Sequence, residues 1–204
     1  MKPSEMYSNL LTATGERLQP VGFRRAGSSF FIRDDSNWGV ISMQRHPRNT
    51  PSDTHITVEV GVASAKLLNF HNPSRKNTRP AVGEFTWRRR IGSLMGPRHD
   101  QWWRLQDINS GAVSSDDVIG AIERVGIPWV FGHLTDTQLM DSWARGEWDG
   151  MTRTGAMTDL AVLQFLYGDP KLSATVAQIE ADPAPTMGRR EVVGRLLARL
   201  RLAP

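Results

Sequence analysis

The chain has 204 residues, 39% hydrophobic and 23% charged, which excludes a wholly disordered protein. It has no cysteine, so disulfides, thiolate nucleophiles, zinc–thiolate and iron–sulfur sites are excluded as well. The formal net charge of +4 hides a split: residues 1–105 hold 16 Lys+Arg against 8 Asp+Glu, whereas residues 106–204 hold 9 against 13.

In chain order, Met6, Tyr7, Leu10, Leu11 and Leu18 recur at three- and four-residue spacing and predict a helix over Ser4–Gln19, with Ser4 as a cap and Pro20-Val21-Gly22 as a stop. Short strands are expected at Phe23–Arg25 and Ser29–Arg33, a turn at Asp34–Asn37, and a third strand at Trp38–Gln44. The clearest strand is His55–Ala63, where Ile56, Val58, Val60 and Val62 alternate with Thr57, Glu59, Gly61 and Ala63. Asn69–Glu84, with two prolines and no periodicity, reads as a long loop; Phe85–Leu94 and Gln101–Asp107 read as two further strands.

The second half is helical in its patterning. Ser114 or Ser115 opens a helix through Val125, with Gly126 as its cap and Pro128 as a block. Ala156–Tyr167 ends at Gly168, after which Asp169 caps a helix with Pro170 in its first position. A last amphipathic helix, about Gly188–Leu202, sets Val192, Val193, Leu196, Leu197 and Leu200 against arginines. That helix suits docking on its own domain or on a second copy of the chain, which makes a homo-oligomer through the C-terminal helices a possible state. The expected fold class is α+β: an antiparallel sheet of five to six strands packed by helices over residues 1–134, then a helical extension over 135–204. No apolar run approaches the ~18 residues of a membrane span. The N-terminus lacks the apolar stretch of a secretory signal, so a cytoplasmic location is expected.

Five blocks in order carry a family resemblance: Val21-Gly22-Phe23-Arg24-Arg25-Ala26-Gly27-Ser28-Ser29-Phe30, Trp38-Gly39-Val40-Ile41-Ser42-Met43-Gln44, Ile56-Thr57-Val58-Glu59-Val60-Gly61-Val62, Trp87-Arg88-Arg89-Arg90-Ile91-Gly92, and Trp102-Trp103. Over roughly residues 5–135 the chain resembles the bacterial domain-of-unknown-function family numbered 4304. The resemblance implies a bacterial source and an α+β domain, and it carries no activity and no catalytic residues.

Basic residues concentrate between His71 and Arg104. In a strand, Arg88 and Arg90 share one face while Arg89 joins Trp87 and Ile91 on the other, so Arg89 needs a buried partner, for which Glu59 is a candidate. Arg88 and Arg90, with Arg24, Arg25 and Arg104, make a candidate anion site, and Trp87, Trp102 and Trp103 supply aromatic surface beside it. Of the seven tryptophans, Trp143 and Trp148 stand in the most polar surroundings and are expected to be the exposed pair. His71 and His99 flank the basic segment and could transfer protons with Glu84, Asp100 or Glu59. The histidine spacings match no metal motif, and no phosphate-binding glycine loop, nucleophile elbow or cofactor signature is present. Three functions stay open: a binding protein for an acidic protein partner, such as a toxin–immunity pairing; a nucleic-acid-binding protein; and an enzyme acting on an anionic small molecule.

Overall fold

The computed structural model describes residues 2–50, 52–75, 78–96, 100–105 and 108–181, with positions 194 and 198, the side chains of 108–114 excepted. The chain divides into two compact units, Met1–Ala63 with Arg79–Leu134, and Ser64–Thr78 with the chain from Thr135 onward. The helical part therefore recruits an excursion that leaves the sheet unit after Ala63 and returns at Arg79.

The first unit opens with α1 (Pro3–Leu18), which buries Met6, Leu10, Leu11 and Leu18 along one face. Its N-cap is Lys2, not Ser4. Pro3 takes the first helical position, where its missing N–H costs nothing, and the Lys2 N–H donates to Glu5 Oε2 at 3.0 Å. Six strands follow: β1 (Arg24–Ala26), β2 (Ser29–Asp34), β3 (Asn37–Arg45), β4 (Thr54–Ala63), β5 (Trp87–Arg90) and β6 (Trp103–Leu105). They form one antiparallel sheet in the order β1-β2-β3-β4-β5. Strand β6 pairs Thr54–Ile56 of β4, on the edge that β5 occupies further along at Glu59–Val62.

The period of two along β4 sorts the sheet into two faces. Phe30, Ile41, Met43, Ile56, Val58, Val60, Trp87, Trp103 and Leu105 are buried on the inner one. Against it lie α1, α4 (Ile108–Ala121) and α5 (Ile127–Gly132). At Gly39 an added methyl group would strike Val130 of α5 and approach Ile32 to 2.8 Å, so glycine there lets the helix lie against the strand.

Four expectations change here. The helix expected to open at Ser114 or Ser115 begins at Ile108. The strand read over Phe85–Leu94 is only β5, after which Gly92–Met95 makes one helical turn, α3. Gly126 does not end a helix: it has a helical φ of −67° and sits in a widened turn, Ile122–Gly126, that carries the chain into α5 with Pro128 in its first turn. Its missing side chain serves packing, since a Cβ would meet Ile91 Cδ1 at 3.2 Å and Val60 Cγ1 at 3.5 Å. The loop read over Asn69–Glu84 begins as a helix, α2 (Ala65–His71), because the Ser64 hydroxyl accepts the Leu67 N–H at 3.2 Å and supplies a cap.

The second unit contains α2, α6 (Asp136–Ala144), α7 (Arg153–Tyr167) and α8 (Leu172–Glu180). Thr135 and Thr152 cap α6 and α7 through their hydroxyls, and Gly168 ends α7 with a φ of 65°. Pro170 lies in a turn before α8 rather than in its first position, because the Asp169 carboxylate accepts the Lys171 N–H at 2.8 Å and delays the helix to Leu172. Trp143 is fully buried, so only Trp148 of the expected exposed pair reaches the surface. His71 Nε2 lies 2.9 Å from Asp159, and the Tyr167 hydroxyl donates to the buried Asp136 at 2.9 Å. The amphipathic helix expected over 188–202 and His99 lie outside the described residues. No described helix is long and apolar enough to cross a membrane.

Candidate functional site

The outer face of the sheet in the first unit carries its polar chemistry. The register aligns Ser29, Ser42, Glu59 and Arg90 in one row across β2–β5, and Val40, Gly61 and Arg88 in the next. Glu59 is the buried anion of this face, 8% exposed. Its partner is Arg88, whose Nη1 donates to Oε1 at 3.0 Å; Gln44 Nε2 donates to the other oxygen at 2.7 Å. Gly61 makes this reach available, since a Cβ there would crowd Arg88 Cγ and the Trp87 carbonyl, each at 3.2 Å. Arg89, for which Glu59 was the expected partner, lies on the opposite face by strand alternation and donates instead to the Ser93 carbonyl at 3.3 Å.

Along the β5–β6 edge the other arginines are held in the same way. Arg90 Nη1 donates to both oxygens of Asp100, at 2.6 Å to Oδ1, and its guanidinium lies 5.2 Å from the Trp102 ring centre. Trp102 Nε1 donates to Asp100 Oδ2 at 3.1 Å, which locks carboxylate, indole and guanidinium together. Arg104 clamps Asp53 with two hydrogen bonds of 2.9 and 2.8 Å, and His55 Nε2 stands 3.3 Å from the same carboxylate. His46 meets Trp102 edge-on at 4.9 Å, and its Nδ1 accepts the Arg48 N–H at 3.1 Å. A cleft of about 390 Å³ opens beside this network, lined by His46, Arg48, Thr50, Asp53, His55 and Trp102.

The electrostatics follow the contacts. Hydrogen bonding from Arg104 holds the Asp53 carboxyl below the usual aspartate range, and Arg90 does the same for Asp100. Arg104 is raised in turn by its bond to Asp53. Arg88, Arg90 and Arg104 are thus matched one for one by Glu59, Asp100 and Asp53, and Arg48 lines the cleft beside them. Among the described residues no group of histidines and carboxylates could hold a metal ion.

The structure brings together Glu59, Arg88, Arg90, Asp100, Trp102 and Arg104 from the residues singled out in the sequence. It separates the rest. Arg24 and Arg25 lie on β1, at the opposite edge of the sheet from β5, and use their guanidinium groups on Phe23, Gly27 and Thr12. Trp87 and Trp103 point into the core, 1% and 5% exposed, so neither offers a surface to a partner. Trp87 packs there against Trp129 and His133. His71 belongs to the second unit. The residues not anticipated as members are His46, Arg48, Asp53 and His55; the parity of β4 already set His55 on the face of Glu59, while the β6 pairing that brings Arg104 to it has no sequence signal of its own.

The sequence pattern of a known family, a domain of unknown function designated DUF4304, matches residues 14–131, more than half of the chain. The chain belongs to the DUF4304 family. Every residue of the edge cluster falls within the DUF4304 match, which begins inside α1 and ends inside α5; α6, α7 and α8 lie beyond it. No curated protein and no solved structure matches the chain.

Proposed function

We propose that this DUF4304 protein is a binding protein whose β5–β6 edge recognises an acidic surface on a protein partner. The observation that carries the reading is the fixed orientation of Arg88, Arg90 and half-buried Trp102 on that edge. Arginine and tryptophan are the side chains that most often dominate protein interfaces. A guanidinium already held by a carboxylate loses little further rotamer freedom on binding. Arg88 and Arg90 each spend one terminal nitrogen on their carboxylate, which leaves other N–H groups for a partner. Arg48, at the mouth of the cleft, adds positive charge with no carboxylate partner among the described residues. A toxin–immunity pairing is one concrete form of such recognition.

The paired guanidinium and indole of Arg90 and Trp102 would also suit a stacked base, which makes nucleic acid the second reading. Affinity purification of the full chain at low salt, beside the Arg48→Glu/Arg90→Glu variant, separates the two. One stoichiometric acidic protein retained by the wild type and lost from the variant is the expected result. Nucleic acid released steeply as salt rises would replace it with the second reading. A partner held equally by both proteins would remove the edge as the binding site. Both substituted side chains are exposed, but Arg90→Glu sets a carboxylate beside Asp100 and opposite Glu59, so a circular-dichroism spectrum matching the wild type's accompanies the binding measurement.

A further inference from the structure

A second cavity, of about 450 Å³, lies wholly within the second unit, among α6, α7 and α8. Its size falls within the roughly 300–1,000 Å³ of small-molecule sites. Met157 and Leu160 give it an apolar wall, and the half-buried indole of Trp148 gives it a flat one. Three cations line it, Arg145, Arg153 and Lys171, and among the described residues no carboxylate does. Arg145 is held by Glu147 at 2.8 Å, whereas Arg153 and Lys171 have no acidic partner among the described residues. A buried amide adds an independent sign. Gln164 is 3% exposed and lines the cavity, and its side-chain oxygen is shut off from water with no hydrogen-bond partner among the described residues. Buried polar groups are nearly always satisfied, and a rotamer change at Gln164 would bring this amide to a ligand in the cavity.

We propose that the cavity bounded by α6, α7 and α8 binds a small organic anion with a flat unsaturated body and a polar substituent. Arg153 and Lys171 hold its carboxylate or phosphate at the rim, the Trp148 indole flanks its ring, and Gln164 meets the substituent within. The site is independent of the β5–β6 edge.

The test is calorimetric titration of the full chain with 4-hydroxyphenylacetate and with phenyl phosphate, beside acetate and inorganic phosphate. Saturable one-to-one binding of an aromatic probe, at least about tenfold tighter than its inorganic or aliphatic counterpart, is expected. Binding of only one aromatic probe identifies the anion as carboxylate or phosphate. Arg153→Ala with Lys171→Ala should weaken binding at least about tenfold while the thermal midpoint stays put, since both side chains are exposed. Gln164→Leu should erase the preference for 4-hydroxyphenylacetate over phenylacetate. If neither aromatic probe saturates by about 10 mM, a concentration at which even a millimolar ligand nears saturation, the proposal fails. It fails equally if acetate or phosphate binds as tightly as its aromatic relative, or if the double variant binds unchanged.

Discussion

The two units treat positive charge in opposite ways. In the sheet unit, which holds 14 Lys+Arg against 12 Asp+Glu, Arg88, Arg90 and Arg104 are each held by a carboxylate of the same unit. In the helical unit, with the same net charge at 11 against 9, the cavity is lined by three cations, of which Arg153 and Lys171 have no acidic partner among the described residues. Net charge along a sequence therefore does not locate an anion site; pairing does. An oriented, partly neutralised array suits a broad protein surface, because its donors are already ordered. Uncompensated cations around an apolar hollow suit a small anion, because the hollow supplies the desolvation that strengthens the attraction.

The largest test of this contrast is structural. Trp143→Ala removes a fully buried indole from the helical unit and should cost about 3–5 kcal/mol, whereas Trp148→Ala at the cavity rim should cost far less. Urea denaturation of the two variants checks the order, and equal losses would mean that the cavity wall is as much core as the helix beneath it. Next comes the buried anion of the sheet. Glu59→Ala strands Arg88 and Gln44 and should cost about 2 kcal/mol, less than the ~3–5 of a fully buried pair because the Arg88 side chain is 43% exposed. A neutral effect in the same denaturation experiment would show that Arg88 is held by nothing Glu59 provides.

Smaller effects should come from pH. The carboxyls of Asp53 and Asp100 are depressed in the folded chain, so their contribution is complete above the ordinary aspartate value of about 4 and is lost as pH falls below it. Carbonyl-carbon NMR titration should find both midpoints below those of solvated aspartates. In Arg104→Ala the Asp53 midpoint should rise while that of Asp100 stays, since Arg90 and not Arg104 lowers the latter. The smallest expected effect is on stability at neutral pH in Arg104→Ala. That pair is exposed and screened by solvent, and the melting midpoint should hardly move. A large loss would make the Arg104–Asp53 clamp a structural fastening of β6 rather than part of a surface.

How far the site could be read from sequence depends on the range of each interaction. The alternation of β4 placed Glu59 and His55 on one face, and the alternation of β5 separated Arg88 and Arg90 from Arg89, because strand parity is a local property. Which acid meets which arginine is not local. Glu59 pairs Arg88 rather than Arg89, and Arg104 reaches Asp53 across 51 positions of chain. The same distinction explains the tryptophans. The polar neighbours of Trp143 in sequence say nothing about the helices that bury it, while Trp148, five positions on in a turn, stays at the surface.

By itself the sequence determined the α+β class, the antiparallel strands from β1 to β4 and the helical character of the second half, all of which follow from periodicities of two and 3.6 residues. It also carried the family pattern over residues 14–131. Only the tertiary structure decided that β5 and β6 share one edge of β4, that Arg24 and Arg25 stand at the far edge, and that residues 64–78 join the helical unit. Those outcomes rest on register and packing between segments distant in the chain, where burial of whole faces outweighs any local preference.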